Sequence, residues 1–259
     1  MTGFEVKNLT YSYRRGRDIL HDISMECEPG SINALIGLNG CGKTTLIKTV
    51  SGMYRPNSGS VLYNGKNIHT LSDPERSKII AYVKQHGNHI SGYTVQDYLL
   101  FSTANTLKTY EVPGKKEIDR VQKCMGSLGI SEMATKNIGE LSGGQRQLVF
   151  ICAALVQNSD IILLDEPTSA LDMKNEYIVL NCLRNIASKT GKTILMSTHR
   201  PNQAQYLDAN VFLMKDGRII NRGPSREIIN VENLKQIYGE GICVSSEQPY
   251  EEISYRCPQ

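Results

Sequence analysis

The chain has 259 residues, 40% of them hydrophobic and 21% charged, the make-up of a globular protein with one large core or two small ones. A formal net charge of +3 is too small to argue for nucleic acid as a partner, and no apolar run approaches the length that crosses a bilayer. The amino terminus carries neither a basic nor an apolar leader segment, so the expectation is a protein that is not secreted and meets a membrane only through a partner.

Residues 4–28 read as short strands around a turn at Arg14–Arg17, with Phe4, Val6, Ile19, Leu20, Ile23 and Met25 as the apolar positions. Tyr11 and Tyr13 alternate with polar residues and share a face. Either both pack or face solvent, or one stacks on a nucleobase, since stacking recognises a ring without reading its edges. An apolar strand, Ile32–Ile36, then runs into Gly37-Leu-Asn-Gly-Cys-Gly-Lys-Thr-Thr45, and Leu46, Ile47 and Val50 follow at helical spacing. That is the strand–loop–helix setting of G-x-x-x-x-G-K-[ST]. Gly37, Gly40 and Gly42 let successive amides turn inward, and the helix adds its positive dipole end, which together make a phosphate cradle. Gly37, Asn39, Gly40, Cys41, Gly42, Lys43, Thr44 and Thr45 are therefore candidate nucleoside triphosphate contacts. Lys43 reaches the β- and γ-phosphates, and the Thr44 hydroxyl suits Mg²⁺.

Further on, Asn64-Gly65 marks a hairpin, Ser72-Asp-Pro-Glu75 a helix start, and Ile79–Val83 a strand with Gln85 just beyond it. Residues 86–140 change to helical character. Thr94 and Asp97 resemble a capping box, and Ile118, Val121, Met125 and Leu128 define an amphipathic helix over 115–128. Leu141-Ser-Gly-Gly-Gln145 opens another helix, so Ser142, Gly143 and Gly144 form a second anion-binding nest. Residues 160–166, DIILLDE, are a buried strand ending in two acids. Asp165 suits Mg²⁺ through its water shell, and Glu166 suits a base for an attacking water; the plainer reading is a pair of surface carboxylates. A helix ending near Gly191 leads to the strand Thr193–Thr198, with His199 just past its end, where it is either structural or within reach of a γ-phosphate. A hairpin around Asp216-Gly217, one closing helix over Ser225–Tyr238 and a weakly structured tail over 240–259 complete the chain.

The seven cysteines, Cys27, Cys41, Cys124, Cys152, Cys182, Cys243 and Cys257, form no C-x-x-C pair, which suits a reducing compartment. Cys41, at a helix start beside Lys43, is expected to have a lowered thiol pKa and to react with maleimide.

In order and spacing these residues resemble the ATP-binding subunits of ABC transporters over roughly 4–239. Gly37–Thr44 is similar to the family's Walker A, Gln85 to its Q-loop, and Leu141–Gln145 to its signature motif. Ile161–Glu166 resembles Walker B with the catalytic glutamate, Ser169–Asp172 the D-loop, His199 the switch histidine and Tyr13 the base-stacking aromatic. The resemblance implies an α/β fold: residues 1–85 and 141–239 form an N-terminal antiparallel β-subdomain together with a P-loop NTPase (RecA-like) core, with an inserted helical subdomain (86–140), followed by the tail 240–259. It implies ATP and Mg²⁺ as cofactors, the ion held by Thr44, Gln85 and Asp165, and Lys43, Glu166 and His199 as the catalytic set. It also implies a head-to-tail homodimer in which each ATP lies between one P-loop and the partner's Ser142–Gln145. The dimer docks on permease subunits at the cytoplasmic face of the membrane, fed by a substrate-binding protein. GLNGCGKTTLIK and ELSGGQRQ look most like the importers of iron-siderophore, haem or cobalamin. A soluble ATPase of iron–sulfur assembly type and an exporter ATPase are the alternatives. Two departures stand out: Arg200-Pro201 after the switch histidine, and Leu38 where the loop often has proline.

Overall fold

The computed structural model describes residues 3–14, 16–84, 92–107 and 111–240, with the backbone of 242–245 and 252–255. In chain order, β1 (Phe4–Arg14) and β2 (Arg17–Cys27) precede β3 (Ile32–Ile36), α1 (Lys43–Val50), β4 (Ser58–Tyr63) and β5 (Lys66–Asn67). Next come α2 (Asp73–Ile79), β6 (Ile80–Val83), α3 (Val95–Phe101), α4 (Lys115–Ser127) and α5 (Gly143–Val156). They are followed by β7 (Ile161–Asp165), α6 (Met173–Thr190), β8 (Thr193–Thr198) and α7 (Pro201–Tyr206). The last elements are β9 (Asn210–Lys215), β10 (Arg218–Pro224), α8 (Ser225–Ile228), α9 (Val231–Tyr238), β11 (Ile242–Ser245) and β12 (Glu252–Tyr255). The chain divides into two compact units, Met1–Leu71 with Thr193–Gln259, and Ser72–Lys192.

In the first unit, β2-β1-β4-β5 form an antiparallel sheet. The opening hairpin is longer than expected, eleven residues per strand, because irregularities at Asn8 and Asp22 bend it without ending it. Both take positive φ, 45° and 53°. The Asn8 amide N–H donates to Ser24 Oγ at 3.0 Å, and its side-chain amide donates to Asp22 Oδ1 at 2.9 Å, so the displaced backbone stays hydrogen-bonded. The Asn64-Gly65 turn has positive φ at both positions, 49° and 78°, as a two-residue hairpin requires. The strand β3 lies between β8 and β9 and parallel to both, and β10 pairs antiparallel with β9. Ala34, Leu35 and Ile36 are fully buried, the continuous apolar run of a strand covered on both faces.

Three elements of this unit depart from expectation. The span 225–238 is two helices, because the Asn230 side chain accepts the Asn233 N–H at 2.9 Å and starts a new helix. The short α7, which no periodicity announced, begins at Pro201. Proline suits a first helical position, where the missing N–H has no intrahelical partner to lose, so Pro201 is accommodated without distortion. The tail carries a two-stranded pairing, Ile242↔Tyr255 to Ser245↔Glu252.

In the second unit, β6 and β7 pair in parallel from Ile80↔Ile161 to Val83↔Leu164, and α3, α4 and α5 pack on one another. The expected starts hold for α2, capped by Ser72 and Glu75, and for α3, where Thr94 Oγ1 accepts the Asp97 N–H at 3.1 Å, while Ile79, expected in the strand, ends α2. The apolar stripe of 115–128 forms α4, with Val121 and Met125 buried. At the end of α2 the Ser77 carbonyl accepts bonds from Asn105, Gln157 and Ser159 at 3.1, 2.9 and 2.8 Å, tying three segments together. Among the described residues no helix is long and apolar enough to cross a membrane.

Candidate active site

The loop after β3 closes on itself. Lys43 is buried, and its ammonium donates to the carbonyls of Gly37 and Leu38 at 2.8 and 3.0 Å, drawing the lysine head back over the loop. Two glycines are required for different reasons. A Cβ on Gly37 would sit 2.3 Å from the Met214 carbonyl oxygen, and Gly42 takes φ 109°, a backbone conformation a residue with a Cβ rarely adopts. The strand β9 is therefore the wall against which the loop is moulded, a contact no local motif announces. Asn39 and Gly40 face outward, Thr44 is half-buried in the first turn of α1, and Leu38 is exposed, so no proline is needed to shape that position.

Thr45 is buried, and its hydroxyl is hydrogen-bonded to the Tyr13 hydroxyl at 3.1 Å, which ties the outer tyrosine to α1. Tyr13 remains 56% exposed. Its ring meets Tyr11 and Tyr54 edge-on, with centroids 5.2 and 5.6 Å apart, while Tyr11 and Tyr54 stack at 5.3 Å. Of the two tyrosines left open by the sequence, Tyr13 thus presents a surface and Tyr11 is the packing partner. Tyr54 was missed, because nothing in Tyr54-Arg-Pro shows that the chain returns to β1. His69 Nε2 helps hold that return, 3.1 Å from the Thr49 carbonyl and 3.0 Å from the Tyr54 carbonyl, and Asn57 bonds β1 directly, its N–H donating to the Thr10 carbonyl at 2.9 Å.

The expectation for Cys41 is corrected. Burial pushes its thiol pKa up, and the opposing pull of the Lys43 charge and nearby amides is smaller. At this helix start the desolvation that packing imposes outweighs the favourable charge.

His199 follows β8, half-buried, with its carbonyl accepting a hydrogen bond from the Tyr238 hydroxyl at 3.0 Å.

The second unit carries the other candidates. Ser142 and Gln145 form a reciprocal capping box at the start of α5. The Ser142 N–H donates to Gln145 Oε1 at 3.1 Å, and the Gln145 N–H donates to Ser142 Oγ at 3.3 Å. Ser142 and Gly143 are exposed, and a Cβ on Gly143 would meet nothing within 4 Å. Gly144 lies against the loop that follows β7, where a Cβ would come 3.3 Å from the Ala170 carbonyl oxygen. That loop is held by Ser169, whose N–H and hydroxyl donate to the Glu166 carbonyl at 3.2 and 3.0 Å, and by Asp172, whose side chain caps α6 through Asn175 at 2.8 Å.

Asp165 and Glu166 are 1% and 8% exposed, so the surface-pair reading is excluded. Glu166 takes φ 45°, a left-handed conformation that costs about 1–2 kcal/mol for a residue with a Cβ. The donor types suit a hard cation: the Thr44 hydroxyl and the Asp165 carboxylate are oxygen ligands of the kind Mg²⁺ takes alongside phosphate. Gln85 lies outside the described residues, as do Arg15 of the first turn and parts of 86–140 and of the tail.

The chain matches the ABC transporter family over residues 20–169. It is 34% identical over 222 residues to the iron(3+)-hydroxamate import ATP-binding protein FhuC of Bacillus subtilis, covering 86% of this chain and 82% of the relative. A metal-chelate type ABC transporter solved in an inward-facing conformation superposes with a TM-score of 0.83 at 27% identity, covering 98% of this chain and 97% of the other. A dimeric bacterial ABC transporter cassette superposes with a TM-score of 0.79 at 27% identity, covering 86% and 99%. With the lysine-closed loop, the capped signature turn and the buried acidic pair, these likenesses establish that the chain belongs to the ABC transporter family as an ATP-binding subunit that hydrolyses ATP.

Proposed function

We propose that the chain is the motor ATPase of an importer, working as a homodimer on permease subunits at the cytoplasmic face of the membrane, with cargo of the iron-siderophore, haem or cobalamin class. The observation that carries the dimer is the outward-facing Ser142-Gly143 turn, which heads a 14-residue helix and is already capped by its own side chains. Such a turn offers a γ-phosphate amides and a hydroxyl from a surface another copy can reach. The dimeric cassette supports the same arrangement, and the Bacillus subtilis and metal-chelate relatives support the cargo class. A substrate-binding protein then feeds the permease from the other side.

In this reading Lys43, Gly37, Asn39, Gly40, Cys41, Gly42, Thr44 and Thr45 bind the phosphates, and Tyr13 stacks on the base. Gln85 and His199 contact the reacting end, and Ser142, Gly143, Gly144 and Gln145 close the site from the partner. Thr44, Gln85 and Asp165 are the residues for Mg²⁺, which when bound offsets phosphate charge. Glu166 takes the proton from water as its oxygen attacks the γ-phosphorus and the bond to ADP breaks. His199 donates toward the γ-phosphate oxygens, and Lys43 steadies the β–γ bridge.

The test is light scattering after size exclusion on Glu166→Gln, with and without ATP and Mg²⁺. A dimer that forms only with ATP, together with hydrolysis lowered by about 10²–10⁴, is the expected result. Wild-type turnover in that variant removes Glu166 from the role of base. An ATP-bound monomer that stays monomeric beside its permease removes the shared site.

A further inference from the structure

The peptide group joining His199 to Arg200 is anchored at both of its polar atoms. Its carbonyl accepts from the Tyr238 hydroxyl at 3.0 Å, and its N–H donates to Thr198 Oγ1 at 3.0 Å. The Thr198 hydroxyl spends its own proton on Gln203 Oε1, 2.7 Å away, which leaves its oxygen to accept from Arg200. Thr198 and Gln203 are both buried. Pro201 adds a third restraint by confining the residue before it to extended backbone, and Arg200 sits at φ −112°, ψ 99°. Rotating the 199–200 plane in either direction therefore breaks a part-buried hydrogen bond.

The imidazole of His199 leaves the chain at one end of this plane, so its aim follows from the plane's orientation. Thr198 and Gln203 are close to it in sequence, but Tyr238 arrives from the last residue of α9. The C-terminal pairing lies against the same frame, with β11 beside α9 and β12 beside α7.

We infer that Tyr238 is a positioning residue for His199, setting the direction of the imidazole through the His199 carbonyl without itself touching nucleotide. The inference rests on the reading of His199 as the γ-phosphate contact. Tyr238→Phe removes the hydroxyl and keeps the ring.

The experiment is a double-mutant cycle on the full chain, comparing wild type, Tyr238→Phe, His199→Ala and the pair by phosphate release, with melting temperature recorded for each. Tyr238→Phe is expected to lower kcat about three- to tenfold, the scale of one hydrogen bond acting through a small misalignment, with KM for Mg-ATP changed by less than about twofold. On the His199→Ala background the same change should alter kcat by less than about twofold, because the group it aims is gone.

Wild-type kcat in Tyr238→Phe, or an equal further loss on the His199→Ala background, overturns the inference while leaving the role of His199 intact. Wild-type kcat in His199→Ala overturns that role itself, and the inference with it. If Tyr238→Phe does not fold, Thr198→Val removes the opposite anchor at nearly constant shape and enters the cycle with the same expected split.

Discussion

Gly37–Lys43 and Ser142–Gln145 are both glycine-bearing turns that lead into a helix, yet their glycines answer different needs. In the first turn a Cβ on Gly37 would collide with the Met214 carbonyl of β9, Gly42 holds a left-handed φ, and Lys43 folds back on the loop carbonyls. In the second, Gly143 has open space around it, and Ser142 and Gln145 exchange bonds across the turn. The first turn is moulded by its own chain and closed by its own cation. The second is finished internally and left facing out, with its helix dipole directed at whatever docks there. In the proposed reading, the turn that would hold phosphate within its own chain is packed from behind, and the turn offered to a partner is capped by its own side chains.

The contrast breaks most sharply at Lys43. Lys43→Ala should weaken ATP binding by about 10²-fold, as expected for losing a charge-assisted bond to phosphate, with calorimetric titration as the measurement. Unchanged affinity would mean that the lysine only closes the loop.

The second turn is sharpened by comparing two substitutions. Ser142→Ala should cost about 1 kcal/mol of stability through the lost cap, seen in the unfolding midpoint. Ser142→Asp retains a capping oxygen and should keep that stability, yet it sets a negative charge against an arriving phosphate and should abolish the ATP-driven dimer. Equal dimerisation in both variants would deny the turn its role in a shared site.

The smallest effect concerns Cys41. Its thiol pKa is raised, so the thiolate is scarce at neutral pH and gains population only as pH climbs toward that raised value. Maleimide labelling at pH 7 should be slower than for a free thiol and should accelerate through the alkaline range. Rapid labelling at pH 7 would show the Lys43 charge to outweigh burial.

What could be read in advance follows from how far apart in sequence the cooperating residues lie. The cradle, the α4 stripe, the Asp165–Glu166 strand end and the caps of α2, α3 and α5 each depend on residues within one or two turns of each other, so spacing exposes them. Tyr54 reaches Tyr13 where His69 and Asn57 hold the chain that returns to β1, and Tyr238 reaches His199 across 39 positions. Neither has a local signature. Cys41 misled because a charge beside a thiol is visible in a string of letters and its burial is not. The short α7 was hidden for a related reason: six residues starting at a proline are too few for a helical period to emerge.

The tyrosine cluster has an optical consequence. The chain holds 13 tyrosines and no tryptophan, so no indole drains phenol emission by energy transfer. With centroids 5.2 to 5.6 Å apart, Tyr11, Tyr13 and Tyr54 share excitation as one antenna. If the proposed stacking on Tyr13 holds, a purine laid on its exposed face would quench all three together and would give an intrinsic gauge of nucleotide, readable without any label.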